Sequence, residues 1–137
     1  MTIDSDKLKK AFRHLQAQQA NLRVMQERPE LSDLDREAIA ESVIQRFEVC
    51  YDTLWKDLRR YLIENLGLPA VPNAPKPLFK LAGQHDLLPS PVETWLGYAD
   101  ARTSTTHDYS GDKAQAALGE VESFIGDVTM LLQKLHP

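Results

Sequence analysis

Cysteine is almost missing from this chain: Cys50 is the only one in 137 residues. That excludes an intrachain disulfide framework and a cysteine-rich zinc site. No apolar run approaches the length of a bilayer span, so no membrane segment is expected. The opening MTIDSDK has no basic region followed by an apolar core, so no secretory signal is expected. A soluble cytoplasmic protein follows from both. An excess of basic charge is missing too, because 16 Lys and Arg face 20 Asp and Glu for a net charge of −4. The chain is therefore not a generally basic nucleic-acid binder, and RNA binding needs a local cationic cleft. The acidic balance also permits a basic protein partner. No segment reads as a strand, and there is neither an internal repeat nor a low-complexity tract.

What is present is helical periodicity, on a composition and length that suit one domain, residues 1–137, with a real core. The spacing of Leu8, Phe12, Leu15, Leu22 and Met25 predicts a helix from about Ser5, a candidate N-cap, to Glu27. Arg28-Pro29 ends it, because the residue before proline avoids helical geometry. His14 lies near the apolar face, where a structural role is expected. Ser32, with Asp33 and Asp35 behind it, opens a second helix that runs to about Leu66, with Gly67 as a left-handed cap. Ile39, Val43, Phe47, Cys50, Leu54, Leu58 and Tyr61 form its core stripe, and Cys50 reads there as a small apolar residue. Ile44, Tyr51, Trp55 and Leu62 widen the apolar surface into a second packing face that another subunit could cover. Glu48, Asp52, Lys56 and Arg59 share a polar face. Either that face is solvated and internally paired, or its acids orient a functional arginine.

Leu68 to Lys76 is proline-rich and reads as a semi-rigid crossover. A short helix is predicted over Pro77 to Leu87, with Leu78, Leu81 and Ala82 inward and His85 exposed at its end. Ser90, Pro91 and Glu93 resemble a capping box. It opens a helix that carries Val92, Trp95, Leu96 and Ala99 and arrives at Arg102. Thr103, Ser104, Thr105 and Thr106 are poor helix formers, so that helix is expected to end among them. A last helix, capped by Ser110 or Asp112, carries the stripe Ala114, Leu118, Val121, Ile125, Val128, Leu132 and Leu135. The sum is an all-α, up-down four-helix bundle with an additional short helix.

Arg102 to Tyr109 holds an arginine, a histidine and a tyrosine around a run of hydroxyl residues. On one continuous helix, residues five apart point roughly 140° from each other, so Arg102 and His107 would not meet. If the helix ends among the threonines, the chain can curl and bring both to one phosphate. Arg102 then holds phosphate oxygens, and His107 acts as general acid or base near neutrality. With the RNA 2′-hydroxyl as nucleophile, such a pair needs neither metal nor cofactor, and none is expected. Tyr109, two residues beyond His107, is a second candidate, since an exposed phenol can itself accept a transferred group.

Two elements, Phe47-Glu48-x-x-Tyr51-Asp52-x-x-Trp55-Lys56 and Arg102-x-x-x-x-His107-x-Tyr109, occur in this order with Gly67 and Trp95 between them. From about Leu8 to Leu135 the chain resembles the nucleotidyltransferase substrate-binding family, a branch of the HEPN superfamily. That resemblance implies a dimeric four-helix bundle whose Arg-His motifs line a shared cleft. It implies a minimal nucleotidyltransferase as partner and antitoxin, with the HEPN member as a ribonuclease toxin. It places RNA cleavage on Arg102 and His107, AMP acceptance on Tyr109, and the family's acidic positions on Glu48 and Asp52. The family usually has asparagine after the motif arginine. Thr103 stands there instead, and a hydroxyl cannot reproduce the amide's two-ended bonding, which bears on nuclease strength more than on fold or partner. A non-catalytic subunit that presents substrate or nucleotide to the transferase is the alternative. A helical interaction protein with a structural Arg-His pair is a third reading.

Overall fold

The long second helix is the pillar. The computed structural model describes residues 5–105 and 111–137. Its helices are α1 (Asp6–Val24, tightening into a 3₁₀ turn at Met25–Glu27), α2 (Asp33–Glu64), α3 (Pro75–Gln84), α4 (Val92–Ser104) and α5 (Gly111–Leu135). Ser32 caps α2 as expected. Its hydroxyl accepts from the Asp35 amide and its own amide donates to the Asp35 carboxylate, both at 3.0 Å. This reciprocal pair satisfies two amides that the first turn leaves without helical partners. At 32 residues α2 is about 48 Å long. Beyond its end Gly67 takes φ +63, and the Leu68 amide turns back to the Leu62 carbonyl at 3.1 Å. A residue with a Cβ would be strained at that φ.

α1 lies along α2, α5 packs on α2 and α4, and α3 lies against α4 and α2. α1, α2, α4 and α5 form the bundle, and α3 is the additional short helix. Among the described residues there is no strand, and no helix is long and apolar enough to cross a membrane.

Six fully buried aromatic side chains close a ring through the core. Phe47 meets Phe124 at 4.9 Å between centroids, Phe124 meets Tyr98 at 5.1 Å, and Tyr98 meets Trp95 at 5.3 Å. Phe79 and Tyr51 complete it, at 5.4 Å from Trp95 to Phe79, 6.1 Å from Phe79 to Tyr51 and 6.2 Å from Tyr51 back to Phe47. Tilted and edge-on pairs of this kind add to the burial energy. The ring joins α2, α3, α4 and α5, so it fixes how α4 sits against α2.

Several expectations change here. Ile44, Tyr51 and Leu62 are buried within the chain itself, which covers most of the second face of α2 that another subunit was expected to meet. The inward residues of α5 are Ala114, Ala117, Val121, Phe124, Val128, Leu131 and Leu135, while Leu118, Ile125 and Leu132 are half-buried flanks. Phe124 decides that rotation by entering the aromatic ring. α3 starts at Pro75 rather than Pro77, since first-turn amides have no helical partner and prolines fit there. Ser90 caps nothing. Pro91 is the N-cap of α4, and the Ser90 hydroxyl donates to Asp127 on α5. Ser5 occupies the N-cap position of α1 without a side-chain bond. His14 is exposed, and its Nδ1 accepts from Arg46 Nη1 at 3.2 Å. His85 is exposed at the end of α3, as expected.

Candidate functional site

α2 and α4 bring the polar residues together. Glu48 and Asp52 are four apart, hence on one face of α2. Arg102 reaches them from the last turn of α4. Its Nε donates to Asp52 Oδ1 at 3.1 Å and its Nη2 to Asp52 Oδ2 at 3.0 Å, a fork-on-fork pair. Its Nη1 donates to Glu48 Oε2 at 3.2 Å. The side chains of Arg102, Glu48 and Asp52 are 26%, 10% and 40% exposed. The polar face of α2 therefore holds an arginine from another helix. Lys56 and Arg59, further along it, go elsewhere: Lys56 lies 5.9 Å above the Trp55 ring, and Arg59 Nε donates to the Pro72 carbonyl at 3.1 Å.

α4 ends at Ser104, inside the threonine run as expected. The hydroxyls there turn back on the backbone, as such residues do near helix ends. Thr103 Oγ1 donates to the Ala99 carbonyl at 3.0 Å, and Ser104 Oγ to that of Ala101 at 3.1 Å. Thr105 is fully buried, and its hydroxyl lies 3.0 Å from Glu48 Oε2 and 3.2 Å from the Ala101 carbonyl. Sequence reasoning missed Thr105. The available signal was its place three residues after Arg102, on the same helical face. The helix end expected beyond Arg102 is thus present, at Ser104. His107 and Tyr109, the candidate base and the candidate AMP acceptor, lie outside the described residues, as does Ser110.

Arg102 and Thr103 border a cleft of about 560 Å³ between α2, α4 and the start of α3. Tyr51, Trp55 and Pro75 supply apolar walls, and Asp52 and Lys76 supply charge. Burial pushes the Tyr51 phenol above its ordinary range, with Asp52 adding to the rise and Arg102 opposing it. Tyr51 is consequently a wall of the cleft and not a proton carrier near neutrality. Burial likewise pushes the Cys50 thiol up to about 12, so this cysteine is no nucleophile.

The model of the nucleotidyltransferase substrate binding protein like family matches residues 4–137. The chain belongs to that family. The resemblance drawn from the two motifs is thereby confirmed. A Haemophilus influenzae protein named probable ribonuclease HepT is 24% identical over 107 residues, 74% of this chain and 70% of that protein. The H. influenzae protein HI0074, described as a substrate binding domain of a nucleotidyltransferase, superposes with a TM-score of 0.86. That match has 21% identity and covers 98% of this chain and all of the other. A Thermus thermophilus protein superposes with a TM-score of 0.68 at 27% identity, over 90% of this chain and 99% of the other. These likenesses support the helical bundle as the fold of this chain.

Proposed function

We propose that this family member is the ribonuclease toxin of a pair whose antitoxin is a minimal nucleotidyltransferase. The observation that carries the reading is the clamped arginine. Arg102 is held by Asp52 and Glu48 at the end of a helix that stops one residue before Thr105. A guanidinium fixed this way has its direction set before substrate arrives, which is how positioned groups lower a barrier. In the proposed reaction His107 removes the 2′-hydroxyl proton of RNA, and the freed oxygen attacks the adjacent phosphorus. The bond from phosphorus to the 5′-oxygen breaks, and the leaving oxygen takes up a proton. Arg102 steadies the charge on the phosphate, and the products are a cyclic phosphate and a 5′-hydroxyl end. A homodimer places two such motifs around one cleft. Transfer of AMP from ATP to Tyr109, two residues from His107, silences the pair.

Purified protein is expected to cleave RNA in the presence of chelator, and His107→Ala to lower the rate by at least about 10²-fold. Undiminished cleavage by the variant removes the assignment. Incubation with the cognate transferase, ATP and Mg²⁺ is expected to add the mass of AMP, and Tyr109→Phe to prevent it. Equal labelling of that variant places the acceptor elsewhere.

A second reading is a non-catalytic subunit that presents substrate or nucleotide to the transferase. It draws on the charge of the clamp, where one cation is set against two carboxylates, and on Thr103. A stable transferase complex together with no RNA cleavage is its expected signature.

A further inference from the structure

A phosphodiester is not drawn to Arg102 by charge alone, because Asp52 and Glu48 leave that triad with an excess of one negative charge. The attraction has to come from nearby. Two further clefts continue from the site along α2 and α1. One, of about 480 Å³, shares Asp52 with the Arg102 cleft and is lined by Lys7, Lys56, Arg59 and Arg60. The next, of about 320 Å³, shares Lys7 and Thr53 with it and adds Lys10, His14 and Arg46. Together with Lys76 and Arg102, these clefts gather eight of the chain's 16 lysines and arginines; Asp52 is the one acid among their described lining residues, while Glu48 holds Arg102, Asp57 pairs with Arg60 and Asp100 pairs with Lys76 at 2.6 Å. In a molecule of net charge −4 this is a strong segregation.

Lys7, Lys10, Arg46 and Lys56 are exposed, and none has a carboxylate within ion-pair distance among the described residues. On a helix surface an acid and a lysine three or four residues apart are neighbours. The acids one turn before Lys10 and Lys56 are Asp6 and Asp52; Asp52 is engaged by Arg102, and Asp57 beside Lys56 is buried and engaged by Arg60 and His136.

We infer that the α1–α2 face is a single-strand RNA track that leads the backbone to Arg102. From Arg46 to Arg60 the cations extend over roughly 21 Å of helix, which spans about six phosphates at the spacing of a stacked strand. Trp55, half-buried where the track meets the Arg102 cleft, offers a ring for base stacking. An acidic protein partner fits less well. The track offers cations with little exposed apolar surface beyond Val49, whereas the centre of a protein interface is depleted in charge. The inference rests on the ribonuclease reading for its substrate class and adds where that substrate lies.

The test uses the full chain and a fluorescent 2′-O-methyl oligouridine of about 20 nucleotides, which binds but has no 2′-hydroxyl to react. Anisotropy titrations over a range of NaCl compare wild type with Lys10→Glu/Lys56→Glu on the track and with Lys80→Glu/Lys113→Glu elsewhere. All four positions are exposed, and both pairs change the net charge equally. The track pair is expected to weaken binding about tenfold at 0.1 M salt and to lower the salt slope by about 1.4, while the control pair stays within about twofold. Equal weakening by both pairs overturns the track. So does wild type that ignores the oligonucleotide while the track pair loses its transferase, which makes the face a protein interface. Track-dependent binding with no cleavage of ordinary RNA sinks the nuclease reading and keeps the track. Cleavage that the track pair leaves unchanged does the reverse.

Discussion

Helix α4 carries two side chains one turn apart, Tyr98 and Arg102, and each ends on the carboxylate of another helix. Tyr98 is buried, and its hydroxyl donates to Asp127 on α5 at 2.5 Å, with Ser123 Oγ at 2.7 Å and the Ser90 hydroxyl also on Asp127. Arg102 lies on Glu48 and Asp52 of α2, partly open and bordering a cleft. The first arrangement joins neutral donors to a sequestered carboxylate, and its geometry serves the core. The second joins a permanent cation to two acids beside solvent, where its gain in stability is small and its gain in direction is large. One pins the helix and the other presents it.

The widest separation between the two comes from removing one partner of each. Asp127→Ala leaves the Tyr98 and Ser90 hydroxyls without their acceptor, and about 3 kcal/mol of unfolding free energy is expected to go, measured in denaturant. Cleavage per folded molecule is expected to stay within about twofold. Arg102→Ala is expected to cost only about 1 kcal/mol, because the clamp is partly solvated, while cleavage falls by about 10²-fold. The opposite pattern would erase the distinction between pin and clamp.

Alkali is expected to discriminate next. Burial raises the Tyr98 phenol, with the Asp127 bond adding to the rise, and burial raises Tyr51 and Cys50 as well. Each group is protonated in the fold and ionises more readily when unfolded. Its contribution is whole below the unfolded value, about 8.5 for a thiol and 10 for a phenol, and is lost as pH climbs toward the folded value. Stability should hold to about pH 8 and then fall, by up to about 1.4 kcal/mol per pH unit for each such group. Tyr98→Phe should flatten the fall above pH 10, while the Arg102 guanidinium keeps its charge throughout. A slope unchanged in that variant would mean that Tyr98 takes no part.

Thr105→Val tests the clamp's hidden support. It keeps the shape but removes the hydroxyl that reaches Glu48. About 1 kcal/mol of stability is expected to go, with a lower cleavage rate and an unchanged KM. Wild-type kinetics would leave Thr105 with a packing role alone.

The clamp was more legible in the sequence than the pin. Glu48 and Asp52 share a helix face by spacing, and a threonine run marks the end of α4 beyond Arg102. Asp127 gave a weaker sign, a lone acid on the buried face between Phe124 and Leu131. Its partners, Tyr98 and Ser90, are 29 and 37 residues away, so only tertiary packing reveals them. The rotation of α5 was hidden for a related reason. Two apolar stripes run one residue apart, Ile125 with Leu132 and Phe124 with Leu131, and periodicity alone fits either. The aromatic ring selects Phe124. Thr105 was obscured because one threonine in a run looks like the next until its contact with Glu48, 57 residues away, is known.

Thr103 gives the smallest expected effect and the finest comparison. It is exposed, borders the cleft, and spends its hydroxyl on the Ala99 carbonyl of its own helix. A hydroxyl bonded in this way has little left for a phosphate, whereas an amide of similar reach carries both a donor and an acceptor at its tip. Thr103→Asn exchanges a half-committed group for a free two-ended one without touching the core or the clamp. Stability is expected to stay within about 0.5 kcal/mol, as at other exposed positions. Cleavage of RNA under chelator is expected to rise a few-fold through kcat, with oligonucleotide affinity unchanged, because in the proposed reaction a group beside Arg102 acts on the reacting phosphate and not on the length of the strand. A rise in affinity alone would place position 103 on the binding track instead, and no change in either quantity would mean that the clamped Arg102 works without help from its neighbour.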